Sequence, residues 1–121
     1  MKVDIEEVKE SILNDHVHCC DKCGGLVKPS IVFFGENLPM RFFQLQELDT
    51  EECDLLLCIG TSLEVYPFAG LADRVSDEIP RILINRHQAG SFGYRKNDIV
   101  LEGDLVETVK KLSELLNWKL L

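Results

Sequence analysis

The stretch Asp54-Leu55-Leu56-Leu57-Cys58-Ile59-Gly60-Thr61-Ser62-Leu63 constrains this chain most. Five apolar residues follow Asp54 without the polar alternation of a half-exposed strand. A short continuous apolar run closed by glycine predicts a strand buried on both faces, as in parallel sheets. Gly60-Thr61-Ser62 then supplies a tight turn with two hydroxyls. In open parallel sheets, ligands bind just beyond the carboxyl ends of the strands. The stretch therefore reads in two ways: a core strand with a polar turn, or a strand that delivers Gly60, Thr61 and Ser62 to a ligand.

The rest of the chain supplies the partners that such a strand needs. Residues 4–14 read as a helix with Ile5, Val8 and Ile12 on one face, and Asp4 with Glu7 has capping-box spacing. Residues 26–34 read as a strand interrupted at Lys28-Pro29, with Ile31-Val32-Phe33-Phe34 as its apolar part. Pro39 is placed to open a helix through about Leu48, with Phe42, Leu45 and Leu48 inward. A helix over residues 67–75 would bury Phe68, Leu71 and Val75. Arg81-Ile82-Leu83-Ile84 is a further strand closed by Asn85-Arg86, and a polar, glycine-containing loop spans residues 87–97. Asp98-Ile99-Val100-Leu101 is a short last strand. Asp104 with Glu107 caps a final helix whose Leu105, Val109, Leu112 and Leu116 share a face, with Trp118 packing back on the sheet. Strand, turn and helix recur at intervals of roughly 20–25 residues, which argues for an α/β fold with parallel strands and right-handed crossovers.

A chain of 121 residues is one ordinary domain and can bury a core. Thirteen basic against twenty-one acidic residues, a net charge of −8, argue against binding a nucleic-acid backbone. No apolar run is long enough to span a bilayer, and the acidic, amphipathic N-terminus does not read as a signal peptide. The five cysteines are not spaced as a secreted disulfide framework, so reduced thiols in a cytoplasmic-type compartment are expected, with nucleus and mitochondrion left open. Cys53 and Cys58 read as small buried apolar residues.

Cys20-Asp21-Lys22-Cys23-Gly24-Gly25 carries a different chemistry. Two cysteines separated by two residues can turn both sulfurs to one zinc ion, and the following glycine permits φ > 0 while amides approach the thiolates. The pair supplies only part of a tetrahedral set. His16, His18 or Cys19 could add to it, or a second pair could come from elsewhere. A redox pair fits less well, because no strand precedes it and no helix starts at it.

Taken in order, these motifs are specific. Cys20-Asp21-Lys22-Cys23, then Val27-Lys28-Pro29-Ser30-Ile31-Val32-Phe33-Phe34-Gly35-Glu36, then Gly60-Thr61-Ser62-Leu63-Glu64-Val65-Tyr66-Pro67-Phe68-Ala69, then Leu83-Ile84-Asn85-Arg86 and Gly103-Asp104, resemble the sirtuins, the NAD-dependent protein-lysine deacylases. The resemblance covers the chain from about Val8 onward and is nearest to the branch of cytosolic and mitochondrial deacetylases. It implies the C-terminal half of a Rossmann-like parallel-sheet domain (residues 27–121) with the second half of a small zinc-binding module (residues 1–26).

It also implies roles. Gly60, Thr61 and Ser62 would meet the phosphates and ribose of NAD, Asn85 and Arg86 the adenosine, and Asp104 and Leu105 the adenine. Val32 would offer its carbonyl to the acyl-lysine amide, with Phe33 and Phe34 walling the acyl-lysine tunnel. Gly35 and Glu36 on one side, and Glu64, Val65 and Tyr66 on the other, would clamp an extended acetylated-lysine peptide by main-chain pairing. Cys20 and Cys23 would be half of the zinc ligands. Plain packing also accounts for Phe33, Phe34 and Val65, a strand-end cap for Asn85, and a helix start for Gly103 and Asp104.

The departures are as informative. Ser30 stands where the family commonly has Asp. The Gly-Ala-Gly-type loop that opens the family's dinucleotide fold has no counterpart in this chain. His16, His18 and His87 are followed by Val, Cys and Gln, not by the Gly that follows the family's general base, so no catalytic residue is assigned. The first cysteine pair is expected upstream of Met1. In the family, the acyl group of acyl-lysine passes to ADP-ribose and nicotinamide leaves. The resemblance implies a partial chain that is inactive alone, completed by a missing N-terminal half. The alternatives are a non-catalytic zinc- or peptide-binding regulatory module, a zinc-bridged dimer, and an unrelated nucleotide-binding α/β domain.

Overall fold

The computed structural model describes residues 2–119. The chain forms two compact units, Met1–Asn37 and Leu38–Leu121.

The first unit contains one helix, α1 (Ile5–Leu13). Asp4 caps it, its Oδ1 accepting the Glu6 N–H at 2.9 Å, which satisfies one of the free amides of the first turn. Val8 is buried, whereas Ile5 and Ile12 on the same face stay exposed. A tight loop follows, in which the Cys20 N–H donates to Gly25 O and the Gly24 N–H to Cys20 O, both at 2.8 Å. An isolated antiparallel bridge joins Cys19 to Leu26. The strand expected over Ile31-Val32-Phe33-Phe34 does not form: these residues are irregular, and Phe34 is 95% exposed. Among the described residues no neighbouring strand pairs with them, and an apolar run without a ladder has no reason to stay extended.

The second unit carries a three-stranded parallel sheet in the order β1-β2-β3, with β1 (Leu56–Ile59), β2 (Arg81–Asn85) and β3 (Asp98–Glu102). Consecutive strands pair in parallel. Helix α2 (Met40–Glu52) follows Pro39, as its fixed φ favours, and runs past the expected end at Leu48. A 3₁₀ turn (Phe68–Gly70) and a short helix α3 (Leu71–Arg74) replace the single helix expected after Pro67. Helix α4 (Leu105–Leu115) is capped by Asp104, whose Oδ1 accepts the N–H groups of Val106 and Glu107. The core is small: Ala72, Leu83 and Phe92 are buried together, with Leu56, Cys58, Leu63, Ala89 and Val100 packed around them.

Several burial expectations need correcting. Strand β1 is not buried on both faces: Leu56 and Cys58 are half-buried, while Leu57 and Ile59 are exposed. It lies at the edge of the sheet, with one side free of a pairing partner and one face uncovered. Leu48, Phe68, Leu116 and Trp118 are exposed rather than inward. Cys53 and Cys58 are half-buried, and burial pushes the Cys58 thiol upward in pKa, consistent with a packing role.

The most buried polar group holds this unit together. The Arg81 side chain is fully buried and faces Asp98, its register partner at the start of β3. Arg81 Nε donates to Asp98 Oδ1 and Nη2 to Oδ2, both at 2.8 Å. Nη1 donates to Ala72 O at 2.7 Å and to Ser91 Oγ at 3.1 Å, and Nη2 also to Ser91 O at 3.0 Å. The guanidinium lies 4.6 Å from the centroid of the buried Phe92 ring. Ser91 Oγ in turn donates to Asp73. One cation thus ties α3, β2, β3 and the loop between them.

Bonded to Arg81 and to the N–H groups of Gly93 and Arg95, the Asp98 carboxyl titrates at about 2 instead of 3.8. The depressed value stabilises the fold by about 2 kcal/mol. That contribution is complete above pH ~4 and vanishes as pH falls through ~2. Asp98→Asn leaves buried Arg81 with only the longer 3.5 Å contact to Asp73 and is expected to cost about 3–5 kcal/mol. Urea unfolding at pH 7 and pH 3 checks both: the gap between wild type and Asp98→Asn should narrow at the lower pH.

Candidate nucleotide cleft at the strand ends

The carboxyl ends of the three strands meet at one rim. Strand β1 runs into Gly60, β2 ends at Asn85, and β3 passes through Glu102 and Gly103 into Asp104. Gly60 takes φ +65°, and its N–H donates to Ile84 O at 3.0 Å, so the turn stays tied to the neighbouring strand. A β-carbon at this position would lie 2.9 Å from Leu105 Cδ1. Glycine is required here twice, for the left-handed backbone and for the approach of Leu105. Thr61 Oγ1 accepts the Leu63 N–H at 3.1 Å, and Leu63 itself has φ +54°.

Asn85 staples this turn to the next strand end. Its Nδ2 donates to Thr61 O and to His87 O, each at 2.9 Å, and its carbonyl accepts the Gly103 N–H at 3.0 Å. The strand-end cap foreseen for Asn85 and a place beside a ligand are therefore compatible. Gly60, Thr61, Ser62, Asn85, Arg86 and Leu105 line a single open cleft of about 650 Å³. Residues 87–90 form its far wall, together with Leu63 and Glu64. Arg86 is exposed and enters no ion pair among the described residues. Asp104 does not line this cleft: its carboxylate is spent on capping α4.

An apolar groove of about 440 Å³ adjoins the same turn, lined by the exposed flank of β1 and by Glu64, Val65, Phe68 and Ala69. Glu64 and Val65 share it, whereas Tyr66 points elsewhere and shields Gly70. Val65 and Tyr66 are largely exposed, not core residues.

In the first unit, Val32 and Phe33 are each 43% exposed, and Gly35 takes φ +85°. Glu36 organises this turn: it accepts the Phe33 N–H at 3.0 Å and pairs with Lys28 at 3.1 Å. The Phe33 N–H and then Lys28 hold its carboxyl below the usual range. Lys28 also lies 4.7 Å from the Phe33 ring centroid. The segment is thus ordered by local polar contacts, with Lys28 over the Phe33 ring and Phe34 exposed.

Cys20 is buried and Cys23 exposed on the Cys-x-x-Cys turn, where Gly24 takes φ +68°. N–H groups of Lys22 and Cys23 directed at the Cys20 sulfur lower its thiol pKa, the environment that a metal-bound thiolate needs. Among the described residues no third His, Cys, Asp or Glu joins them. His18, one candidate, has its Nδ1 hydrogen-bonded to Ser11 Oγ at 3.1 Å. The turn fits half of a tetrahedral zinc site.

Sequence reasoning missed the wall formed by residues 87–90 and its anchor points. Gln88 N–H donates to Glu102 Oε1 at 2.8 Å, and Gln88 Nε2 donates to Phe92 O at 2.5 Å. No spacing rule links residues so far apart in a loop and a strand. The close approach of Leu63 to Gly90 was equally hidden: a β-carbon on Gly90 would lie 2.9 Å from Leu63 Cδ1.

Parallel strand ends converging on a glycine turn define a Rossmann-like class of α/β fold. The chain belongs to the Sir2 family, whose model matches residues 1–67. It is 51% identical over 113 residues to the NAD-dependent protein deacetylase hst2 of Schizosaccharomyces pombe, covering 93% of this chain and 34% of that protein. It is 48% identical over 115 residues to the NAD-dependent protein deacetylase sirtuin-3 of Mus musculus, with the same coverage. With sirtuin-2 of Danio rerio, also an NAD-dependent protein deacetylase, identity is 43% over 131 residues. The chain spans about a third of the length of these curated relatives. A sirtuin chain solved in work on the structural basis of sirtuin substrate affinity superimposes with a TM-score of 0.79 at 26% identity, over 97% of this chain and 50% of that one.

The Gly60 turn yields a direct check. Gly60→Ala is expected to cost about 1–2 kcal/mol for the left-handed backbone, plus the strain against Leu105. Adding Leu105→Ala should recover the second part only. Complete recovery in urea unfolding would show that backbone conformation is not limiting.

Proposed function

We propose that this chain is the part of an NAD-dependent protein-lysine deacetylase that binds the adenosine and phosphate portion of NAD and one side of an acetylated-lysine peptide. The convergence of Gly60, Thr61, Ser62, Asn85, Arg86 and Leu105 on one cleft carries the proposal. NAD, once bound, supplies the ADP-ribosyl acceptor for the acyl group. The chain's own residues bind and orient: the Gly60 turn lets backbone approach the phosphates, Asn85 holds that turn, and Arg86 offers an exposed cation beside the adenosine. Asp104 acts as the cap that points the start of α4, and with it Leu105, toward the adenine.

On the substrate side, the first unit offers a strip of Val32, Phe33, Phe34, Gly35 and Glu36, and the second unit offers one of Glu64, Val65 and Tyr66. An extended peptide paired by its main chain with such a strip is gripped with little regard to its sequence. Cys20 and Cys23 supply two thiolates to a structural zinc ion, whose remaining ligands come from another segment or a second copy. The five free cysteines suit a reducing, cytoplasmic-type compartment. None of the described helices is long and apolar enough to cross a membrane. No histidine of this chain stands in the family's general-base motif, so the chain alone binds nucleotide without turning it over.

Titration calorimetry of the purified 121-residue chain with ADP-ribose tests the cleft. Binding is expected, weakened roughly tenfold or more by Asn85→Ala. A wild-type chain that binds no ADP-ribose sinks the nucleotide reading. No NAD-dependent removal of acetyl from a lysine peptide is expected, and measurable turnover by this chain overturns its assignment as an incomplete catalyst. Metal analysis should find zinc in the wild type and background levels in Cys20→Ser.

A further inference from the structure

The arc 86–90, which carries the far wall of the cleft, belongs to no helix or strand. A wall of irregular backbone keeps its shape only through its tethers. One is the Asn85 side chain at the β2 end. Another is Phe92, fully buried beside Arg81, whose carbonyl holds Gln88 Nε2 and whose N–H reaches Ala89 O at 3.4 Å. The third comes from a different strand: Glu102 Oε1 at the end of β3 accepts the Gln88 N–H at 2.8 Å. Glu102 is exposed and does not itself line the cleft, whereas Gln88 does.

From this we infer that Glu102 is a positioning residue for the nucleotide cleft. Its carboxylate clasps the Gln88 N–H, fixes the arc 86–90, and so sets where Arg86 and His87 stand relative to the Gly60 turn. A hydrogen bond from a neutral amide to a carboxylate is about twice as strong as one between neutral partners. Glycine at position 90, with φ +55° and Leu63 against it, gives the arc a tight bend that the tethers on either side must hold. The clasp stabilises the arc rather than the core, because neither partner is buried. The inference deepens the nucleotide reading of the cleft and rests on it for its consequence, though not for the clasp itself.

Two measurements separate these. Amide exchange of the ligand-free chain reads the clasp: the Gln88 N–H is protected in wild type, and in Glu102→Ala it exchanges about tenfold faster or more. Exchange in β2 and the melting temperature should stay nearly unchanged. ADP-ribose titration reads the consequence: Glu102→Ala weakens binding roughly tenfold, and Glu102→Gln, which keeps a carbonyl acceptor, by about twofold. Unchanged Gln88 exchange in Glu102→Ala overturns the inference, even if affinity falls, since Glu102 would then touch the nucleotide directly. Faster exchange with unaltered affinity overturns the positioning role. A wild-type chain that binds no ADP-ribose removes the nucleotide reading, and with it the positioning role, while exchange still decides the clasp.

Discussion

The second unit is built around a charge that water would ordinarily keep. Arg81 is fully buried, and each of its guanidinium nitrogens has an acceptor: the Asp98 carboxylate, Ala72 O, or Ser91. Burial of an ion pair is costly unless geometry is good and remaining hydrogen-bonding capacity is met. Both conditions hold, with bidentate contacts of 2.8 Å and the ring of Phe92 against the guanidinium. The apolar cluster is small, with Ala72, Leu83 and Phe92 at its centre. The cation supplies direction where the core supplies only cohesion, since its partners sit on fixed backbone in α3, β3 and the intervening loop.

How far the fold could be read beforehand follows from what each residue reports. Strands Arg81-Ile82-Leu83-Ile84 and Asp98-Ile99-Val100-Leu101 and the Asp104-capped helix were legible because period, length and cap chemistry are local. Ile31-Val32-Phe33-Phe34 has equally strong strand character and forms none, because a strand needs a neighbour and composition does not report one. Leu57 and Ile59 misled in the opposite sense: their apolarity predicts cover, and β1 has none on that face. The charges opening β2 and β3 were visible as residues, but their pairing depends on a register that only the folded sheet supplies.

The candidate site divides along the same line. Gly60, Thr61, Ser62, Asn85 and Arg86 were legible because they sit at strand ends within ordered motifs, and they converge on one cleft. Asp104 was placed near the same rim, but its carboxylate faces its own helix. The opposite wall was not legible. Gln88, Phe92 and Glu102 meet through a loop whose path follows from Arg81 beneath it, a dependence no local pattern encodes. The Cys20-x-x-Cys23 turn lies between these cases: the sequence reports its local geometry but not the ligands that would complete a metal site.

Strands β2 and β3 are each five residues long and begin at the paired charges. Asn85 and Glu102 therefore finish level with one another. Arg81 and Asp98 act as the zero mark of a ruler whose other end is the cleft. A slip of β3 by one residue would displace its end by ~3.3 Å and turn every side chain to the other face. It would also carry Asp98 away from the buried Arg81, so the wrong register is excluded electrostatically at one end of the sheet. The depth at which the rim presents its groups is thereby set about one strand length away, by residues that do not line the cleft.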